Sequence, residues 1–204
     1  ALFDRLRVSP QGADAGKSLL IVGGAGGVGS IAIQLAKTLG KLHVIATASR
    51  PESAQWVRTL GADQVVDHFG DLPAQLRDAG HAQVDYVLIL NDTDRHFPAA
   101  ADVIRPQGGI CTIVENAKPV PVELLKAKSA AFHWEFMFTR AMFETPDMIE
   151  QHKLLTEVAR LVDGGVLRTT LGEHLGAINA ANVRHAHRLL EAGRAIGKLV
   201  LGGF

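Results

Sequence analysis

A chain of 204 residues with 47% hydrophobic content is long enough to bury a substantial core, as one domain or one domain with a partial second. Its 21 basic and 21 acidic residues balance, which argues against a nucleic-acid surface, and no apolar run approaches the ~20 residues of a membrane span. The single cysteine, Cys111, excludes an intramolecular disulfide framework and a cysteine-rich zinc site; with no signal-peptide pattern, a cytoplasmic location is expected.

In chain order, Leu2-Phe-Asp-Arg-Leu6 reads as part of a helix, and a start at Ala1 rather than Met leads us to expect that a longer protein precedes it. Gly12-Ala-Asp-Ala-Gly-Lys-Ser18 imitates a phosphate loop. It has three residues between its glycines where that motif needs four, and it precedes a strand instead of following one, so it reads as a surface turn. Strands are then predicted at 19–23, 43–48, 64–67, 84–90, 109–114 and 133–138. Helices are predicted at 27–39, 51–60, 71–79, 95–105, 146–163 and 179–192. Residues 116–129, broken by Pro119 and Pro121, form the least regular connection. The first four strands are rich in Val, Ile and Leu on both faces, as in a parallel sheet covered by helices. The alternation predicts an α/β fold: a doubly wound parallel Rossmann sheet of about six strands with helices on both faces.

The most informative segment is Ser18-Leu-Leu-Ile-Val-Gly-Gly-Ala-Gly-Gly-Val-Gly-Ser30. A strand runs into a glycine turn and then a helix, with the spacing Gly24-x-Gly26-x-x-Gly29 of a dinucleotide fingerprint. The first glycine is expected to allow the tight turn, the second to let the backbone approach a pyrophosphate, and the third to let helix and strand pack closely. The end of the second strand, Val44-Ile-Ala-Thr-Ala-Ser-Arg50, discriminates between dinucleotides. An acid there would bind the free 2′-hydroxyl of NAD, whereas Ser49 and Arg50 offer a hydroxyl and a guanidinium for the 2′-phosphate of NADP. NADP(H) is therefore expected. Ser49-x-x-Glu52 also has capping-box spacing, so Ser49 can start the following helix as well.

Together these residues resemble the medium-chain dehydrogenase/reductase superfamily, in its zinc-type alcohol dehydrogenase-like and quinone oxidoreductase branch. The resemblance continues through Ile33-Gln-Leu-Ala-Lys37, Leu60-Gly-Ala-Asp63, Val66-Asp-His68, Val84-Asp-Tyr-Val87, Gly108-Gly109, Phe132-His-Trp-Glu-Phe-Met-Phe-Thr-Arg140 and Ala195-Ile-Gly-Lys-Leu-Val200. It implies an enzyme that moves hydride between NADP(H) and a quinone, a carbonyl or an activated alkene. It also implies an N-terminal barrel-like domain, not contained in these residues, that carries most of the substrate site and any zinc ligands. Residues 1–165 are expected to form the NADP(H)-binding Rossmann domain, and 166–204 to return toward that other domain; this chain alone should hardly turn over. By the same resemblance the pyrophosphate site falls on Gly24, Ala25, Gly26, Gly27 and Val28. The adenosine-phosphate site falls on Thr47, Ser49 and Arg50, with His68 near the adenine. Asn91, Asp92, Val114 and Glu115 edge the cleft beside ribose and nicotinamide. Arg140 is either a ligand of cofactor or substrate or an interface residue. The aromatic strand near 130–143 is expected to join two copies into a homodimer, while 171–175 and 198–203 are expected to pack on the other domain and to be poorly ordered or abnormally paired without it.

Other residues carry less. The only tyrosine, Tyr86, lies inside a strand and lacks a Tyr-x-x-x-Lys partner, so it reads as core or cleft wall. His185 and His187 point to different faces of one helix, and no His, Cys and carboxylate cluster has metal-ligand spacing, so zinc is not supported by this chain. Cys111 reads as a buried inert thiol. No catalytic residue can be named. A non-catalytic NADPH-sensing or interaction module on the same fold is the alternative reading, and an enoyl reductase is a third.

Overall fold

The computed structural model describes residues 1–203. Six parallel strands form one sheet in the order β3-β2-β1-β4-β5-β6. They are β1 Ser18–Val22, β2 His43–Thr47, β3 Gln64–Val66, β4 Val84–Ile89, β5 Ile104–Thr112 and β6 Ala131–Trp134. The helices α1 Gly27–Thr38, α2 Pro51–Thr59, α3 Leu72–Asp78 and α4 Thr93–Val103 make the crossovers. After β6 come the short α5 Thr139–Met142, α6 Ile149–Asp163, β7 Leu171–His174, α7 Ala180–Glu191 and β8 Lys198–Val200. This is the doubly wound sheet expected from the alternation.

Strand periodicity explains the two-layer core. Successive side chains point to opposite faces. Leu19 and Ile21 of β1, Val44 and Ala46 of β2, Leu88 of β4 and Cys111 of β5 therefore pack on one face with Ile33, Ala36 and Val57. Leu20, Val22, Ile45, Val87, Ile89 and Ile110 pack on the other with Leu76, Phe97 and Ala100. Helix starts are capped where the sequence offers an acceptor. Asp71 receives the Ala74 N–H at 2.9 Å, and Asn179 receives that of Asn182 at 2.9 Å.

Several expected boundaries move. β6 ends at Trp134, not 138. The alternating aromatics continue, but β5 stops at Thr112, and the Glu135 N–H to the Thr112 carbonyl at 2.9 Å is the last bond between the two segments. β5 begins earlier than expected, at Ile104 opposite Val84, and is interrupted near Gln107, which has φ 62°. The irregular connection contains a 3₁₀ helix, Val122–Lys128, that buries Leu125. Its Lys128 ammonium donates to the Ala101 and Ile104 carbonyls, both at 2.9 Å, at the end of α4. Leu2 to Leu6 form a turn, closed by the Arg5 and Leu6 N–H groups on the Ala1 carbonyl, instead of a helix. Gly12 and Gly16 lie in surface turns, with φ 77° and 82°, and Lys17 is paired with Asp14 at 2.6 Å, as expected for an imitation of a phosphate loop.

The C-terminal segments, expected to pack on another domain and to be poorly ordered or abnormally paired without it, contact each other. β7 and β8 pair with each other in parallel and leave the main sheet. Both strands are largely exposed. They are fastened to the Rossmann core through Gln34 of α1, 5% exposed, which accepts the Arg168 N–H at 2.7 Å and donates to the Arg168 carbonyl at 3.1 Å. Gln34→Leu keeps the volume but strands both backbone groups. We expect it to cost about 2 kcal/mol in urea unfolding and to raise amide exchange first at Arg168, with α1 still protected.

Candidate cofactor-binding site

In an open parallel sheet, ligands sit beyond the carboxyl ends of the strands where the strand order reverses. Here that point lies between β1 and β4, and it holds the glycine turn. The glycines divide the work differently from expectation. The left-handed φ falls on Gly23, at 87°, not on Gly24. Gly24 is needed for space: a Cβ there would meet the Ala46 Cβ at 2.8 Å. A Cβ at Gly29 would lie 2.4 Å from the Gly23 carbonyl oxygen and 2.5 Å from that of Gly24, so the third glycine lets α1 start directly against the turn. At Gly26 a Cβ would find only the Gly23 oxygen, at 3.6 Å. The protein itself therefore does not require glycine there, while a ligand lying against the backbone would.

Thr47 and Gly24 are correspondingly internal. Thr47 is 1% exposed, its hydroxyl accepts the Gly23 N–H at 3.0 Å, and its carbonyl accepts the Gly24 N–H at 3.2 Å. Both residues shape the turn and are not surfaces for adenosine phosphate or pyrophosphate. Gly26 and Val28 are exposed, with Ala25 and Gly27 half-buried. Helix α1 has no acid in its first turn and no side-chain cap, and the N–H groups of Gly27, Val28 and Gly29 have no acceptor among the described residues. These donors and the positive end of the helix dipole fit an anionic diphosphate.

On the adenosine side, Ser49 is exposed and its hydroxyl has no partner among the described residues. It does not cap α2. Arg50 takes that position, and the Ser53 hydroxyl accepts the Arg50 N–H at 3.2 Å and donates to the Arg50 carbonyl at 2.9 Å. The Arg50 guanidinium reaches the Arg194 carbonyl at 2.8 Å. His68 lies half-buried just beyond β3, its ring 4.4 Å from that of Phe69 and 6.1 Å from that of His96. Burial holds the imidazoles of His68 and His96 below their ordinary value, which favours the neutral rings. Arg95 stacks on the exposed Phe69 ring at 4.8 Å, a pair with no local sequence signature.

On the other side, Asn91 is exposed at the end of β4, against Gly23. Asp92 adopts φ 47° and caps α4 by accepting the Arg95 N–H at 3.2 Å. The buried Thr93 and Thr112 hydroxyls share a 2.7 Å hydrogen bond, and Thr93 donates to the Val114 carbonyl at 3.0 Å. That network fixes half-buried Val114 and exposed Glu115 at the end of β5. The structure thus brings Ala25, Gly26, Gly27, Val28, Ser49, Arg50, His68, Asn91, Val114 and Glu115 to the carboxyl ends of the strands.

Other candidates lie elsewhere. Arg140 is committed to Asp147 and Asp4, both at 3.1 Å, and ties the N-terminal turn to the region between α5 and α6. The Tyr86 hydroxyl meets Asp14 at 3.3 Å at the opposite end of the sheet and is not a cleft wall. Cys111 is fully buried, and burial pushes its thiol up to about 11, so it is protonated and inert. Among the described residues no group of three or more His, Cys, Asp or Glu side chains is placed to hold a metal ion. Among the described residues no helix is long and apolar enough to cross a membrane.

Fold and glycine turn together define a Rossmann-type α/β domain. Residues 60–201 match the zinc-binding dehydrogenase family, and the chain belongs to that family. A zinc-type alcohol dehydrogenase-like protein of Staphylococcus aureus (strain MSSA476) is 41% identical over 200 residues, covering 98% of this chain and 59% of the relative. A crystal structure from Rhizobium etli CFN 42, described as a zinc-dependent alcohol dehydrogenase, superposes on all of this chain with a TM-score of 0.92 and 50% identity, using 59% of its own length. A mycobacterial protein solved with NADPH superposes on 93% of this chain with a TM-score of 0.77 and 25% identity, using 57% of its own length. The chain thus spans about three fifths of the proteins it matches.

Proposed function

We propose that this chain is the NADP(H)-binding part of an oxidoreductase that transfers hydride to or from a quinone, a carbonyl or an activated alkene. The observation that carries the proposal is the pairing of two candidate anion subsites beyond the carboxyl ends of β1 and β2. Unpaired N–H groups of α1 stand where a pyrophosphate would lie, and Ser49 with Arg50 stands at the end of β2, where no acid is available for a free 2′-hydroxyl. The NADPH bound by the mycobacterial neighbour supports the same assignment. When bound, the nicotinamide supplies the hydride. The protein's own part is positioning. Gly26, Gly27 and Val28 hold the pyrophosphate by backbone donation, Arg50 and Ser49 read the 2′-phosphate, and His68 borders the adenine. Asn91, Val114 and Glu115 border the ribose and nicotinamide, so that one nicotinamide face meets the substrate. No zinc ligand set is available among the described residues, and no step is assigned to a metal.

A homodimer belongs to the same proposal. β6 is the sheet edge, bonded only to β5 among the described residues, and Trp134 at its end with Phe136, Met137 and Phe138 beyond it are about half exposed or more. An apolar edge of this kind is stable in water when a second copy covers it. A cytoplasmic location and a second, substrate-carrying domain complete the reading. Calorimetric titration with NADPH and NADH tests it. Tight NADPH and weak NADH binding is the expected result; preference for NADH would overturn the assignment of the Ser49–Arg50 subsite, and binding of neither would overturn the cofactor role.

A further inference from the structure

We propose that Thr93, Thr112 and Asp94 are positioning residues for the nicotinamide: they hold residues 114–118 at the exit of β5, and through them set how the ring lies in the cleft; this rests on the dinucleotide reading above. That stretch has no strand to pair with. The Ile113 N–H reaches the Ile89 carbonyl at 3.3 Å, and beyond it the chain leaves the ladder. The Val114 N–H has only a long 3.5 Å contact with the Thr112 hydroxyl. Every other hydrogen bond that ties residues 114–118 to another element, among the described residues, goes to the first turn of α4. The Val114 carbonyl accepts from the Thr93 hydroxyl at 3.0 Å. The Asp94 carboxylate accepts the Ala117 N–H at 2.6 Å on one oxygen and the Lys118 N–H at 3.1 Å on the other.

Thr93 and Thr112 are both fully buried, and each hydroxyl has one hydrogen to give. Thr93 donates its hydrogen to the Val114 carbonyl, so the 2.7 Å bond between the hydroxyls runs from Thr112 to Thr93. The chain is therefore Thr112 to Thr93 to the Val114 carbonyl, with the Thr112 oxygen left to face the Val114 N–H. Buried bonds in series strengthen one another, and a satisfied buried network is rigid. The last residue of β5 thus reaches through α4 to fix the exit of its own strand. Val114 and Glu115, which border the nicotinamide, have a fixed place before any ligand arrives. None of these contacts involves the N–H groups of α1 or the Ser49–Arg50 pair. The two anion subsites therefore set affinity and choice of dinucleotide, whereas the first turn of α4 sets the orientation of the nicotinamide. Orientation matters to hydride transfer, since a misplacement of about 1 Å can slow such a step by about a hundredfold.

The test compares wild type, Thr93→Val, Thr93→Ser and Asp94→Ala. Each is titrated calorimetrically with NADPH and NADH, melted without cofactor, and examined for the circular dichroism that bound reduced nicotinamide acquires in its own absorption band. A ring held against a fixed wall gives that signal, and a freely turning ring gives little. Thr93→Val removes the hydroxyl at nearly constant volume and is expected to lose most of the signal. Its NADPH affinity should stay within about threefold of wild type, less than the loss of one phosphate contact would give. Its melting temperature should fall, because the Thr112 hydroxyl and the Val114 carbonyl lose a partner. Thr93→Ser keeps the hydroxyl and should recover the signal. Asp94→Ala removes two bonds at a half-buried position, and it should melt close to wild type while losing part of the signal. An unchanged signal in both Thr93→Val and Asp94→Ala would overturn the positioning role and leave the cofactor site standing. A wild type that binds NADPH without any induced signal would do the same. Affinity that falls together with the signal in Thr93→Val and stays low in Thr93→Ser would assign the pair to the fold alone and also overturn it. Wild type that binds neither dinucleotide would overturn the cofactor reading, and this inference with it.

Discussion

Gly26→Val is expected to abolish binding of both NADPH and NADH in a protein that still folds, whereas Gly29→Ala is expected to unfold it. The two glycines lie three residues apart in one fingerprint, but their surroundings differ. At Gly29 the atoms that a methyl group would strike are backbone, the Gly23 and Gly24 carbonyl oxygens at 2.4 and 2.5 Å and the Gly24 carbonyl carbon at 2.7 Å. They belong to the turn that connects β1 to α1 and cannot rotate away. Overpacking of this kind typically costs 1–3 kcal/mol when side chains can yield, and we expect more than about 3 kcal/mol here. Gly26 has φ −71° and ψ 170°, which any residue adopts, and the space around its Cβ position is open. Valine there costs about 1 kcal/mol, as a poor residue at a helix start, but it occupies the surface that a pyrophosphate would touch. The pair is read by urea unfolding and calorimetric titration of each variant. Wild-type affinity in folded Gly26→Val would show that the turn serves the fold alone.

The features legible in the sequence were those in which a few neighbouring residues carry the whole physical requirement. The buried runs of β1, β2 and β4, the fingerprint spacing and the missing acid at the end of β2 are all of that kind. The doubly wound parallel sheet followed from the alternation of strands and helices. Boundaries set by a distant partner were less accessible. Phe136 and Phe138 keep a strand's period but have no strand to pair with, because β5 ends at Thr112. The roles within the glycine turn also depend on contacts from elsewhere. Gly24 is fixed by Ala46, and Thr47 turns inward because its hydroxyl satisfies the Gly23 N–H, so a residue assigned to the adenosine phosphate belongs to the turn. Ser49 had the spacing of a cap, but Arg50 precedes Pro51 and Ser53 completes the box one residue later. Thr93 and Asp94 meet residues 114–118 from the other side of a helix and a strand, and only folding brings them together. A threonine and an aspartate at a helix start carry no local signal of that meeting.

Arg50→Ala should weaken NADPH by about a hundredfold and leave NADH nearly unchanged, the difference being one charge-assisted, forked contact to a 2′-phosphate that NADH lacks. The variant is expected to fold, because the cap of α2 uses only the Arg50 backbone: its N–H and carbonyl both engage the Ser53 hydroxyl. What the truncation removes is the guanidinium and its 2.8 Å bond to the Arg194 carbonyl. That bond fixes the fork at the end of β2 while leaving other N–H groups to donate, so the loss in NADPH affinity should include lost orientation as well as lost charge. Arg50→Lys separates the two, since it keeps the charge without the fork, and is expected to fall between wild type and alanine. Adding an acid at the neighbouring position, as Ser49→Asp with Arg50→Ala, places a carboxylate where a free 2′-hydroxyl would donate and should reverse the preference toward NADH. Titrations of all four proteins with both cofactors at two salt concentrations decide the matter. Equal losses for NADPH and NADH in Arg50→Ala would remove Arg50 as the phosphate reader. A selective loss that shrinks at high salt would establish that this strand end discriminates by charge.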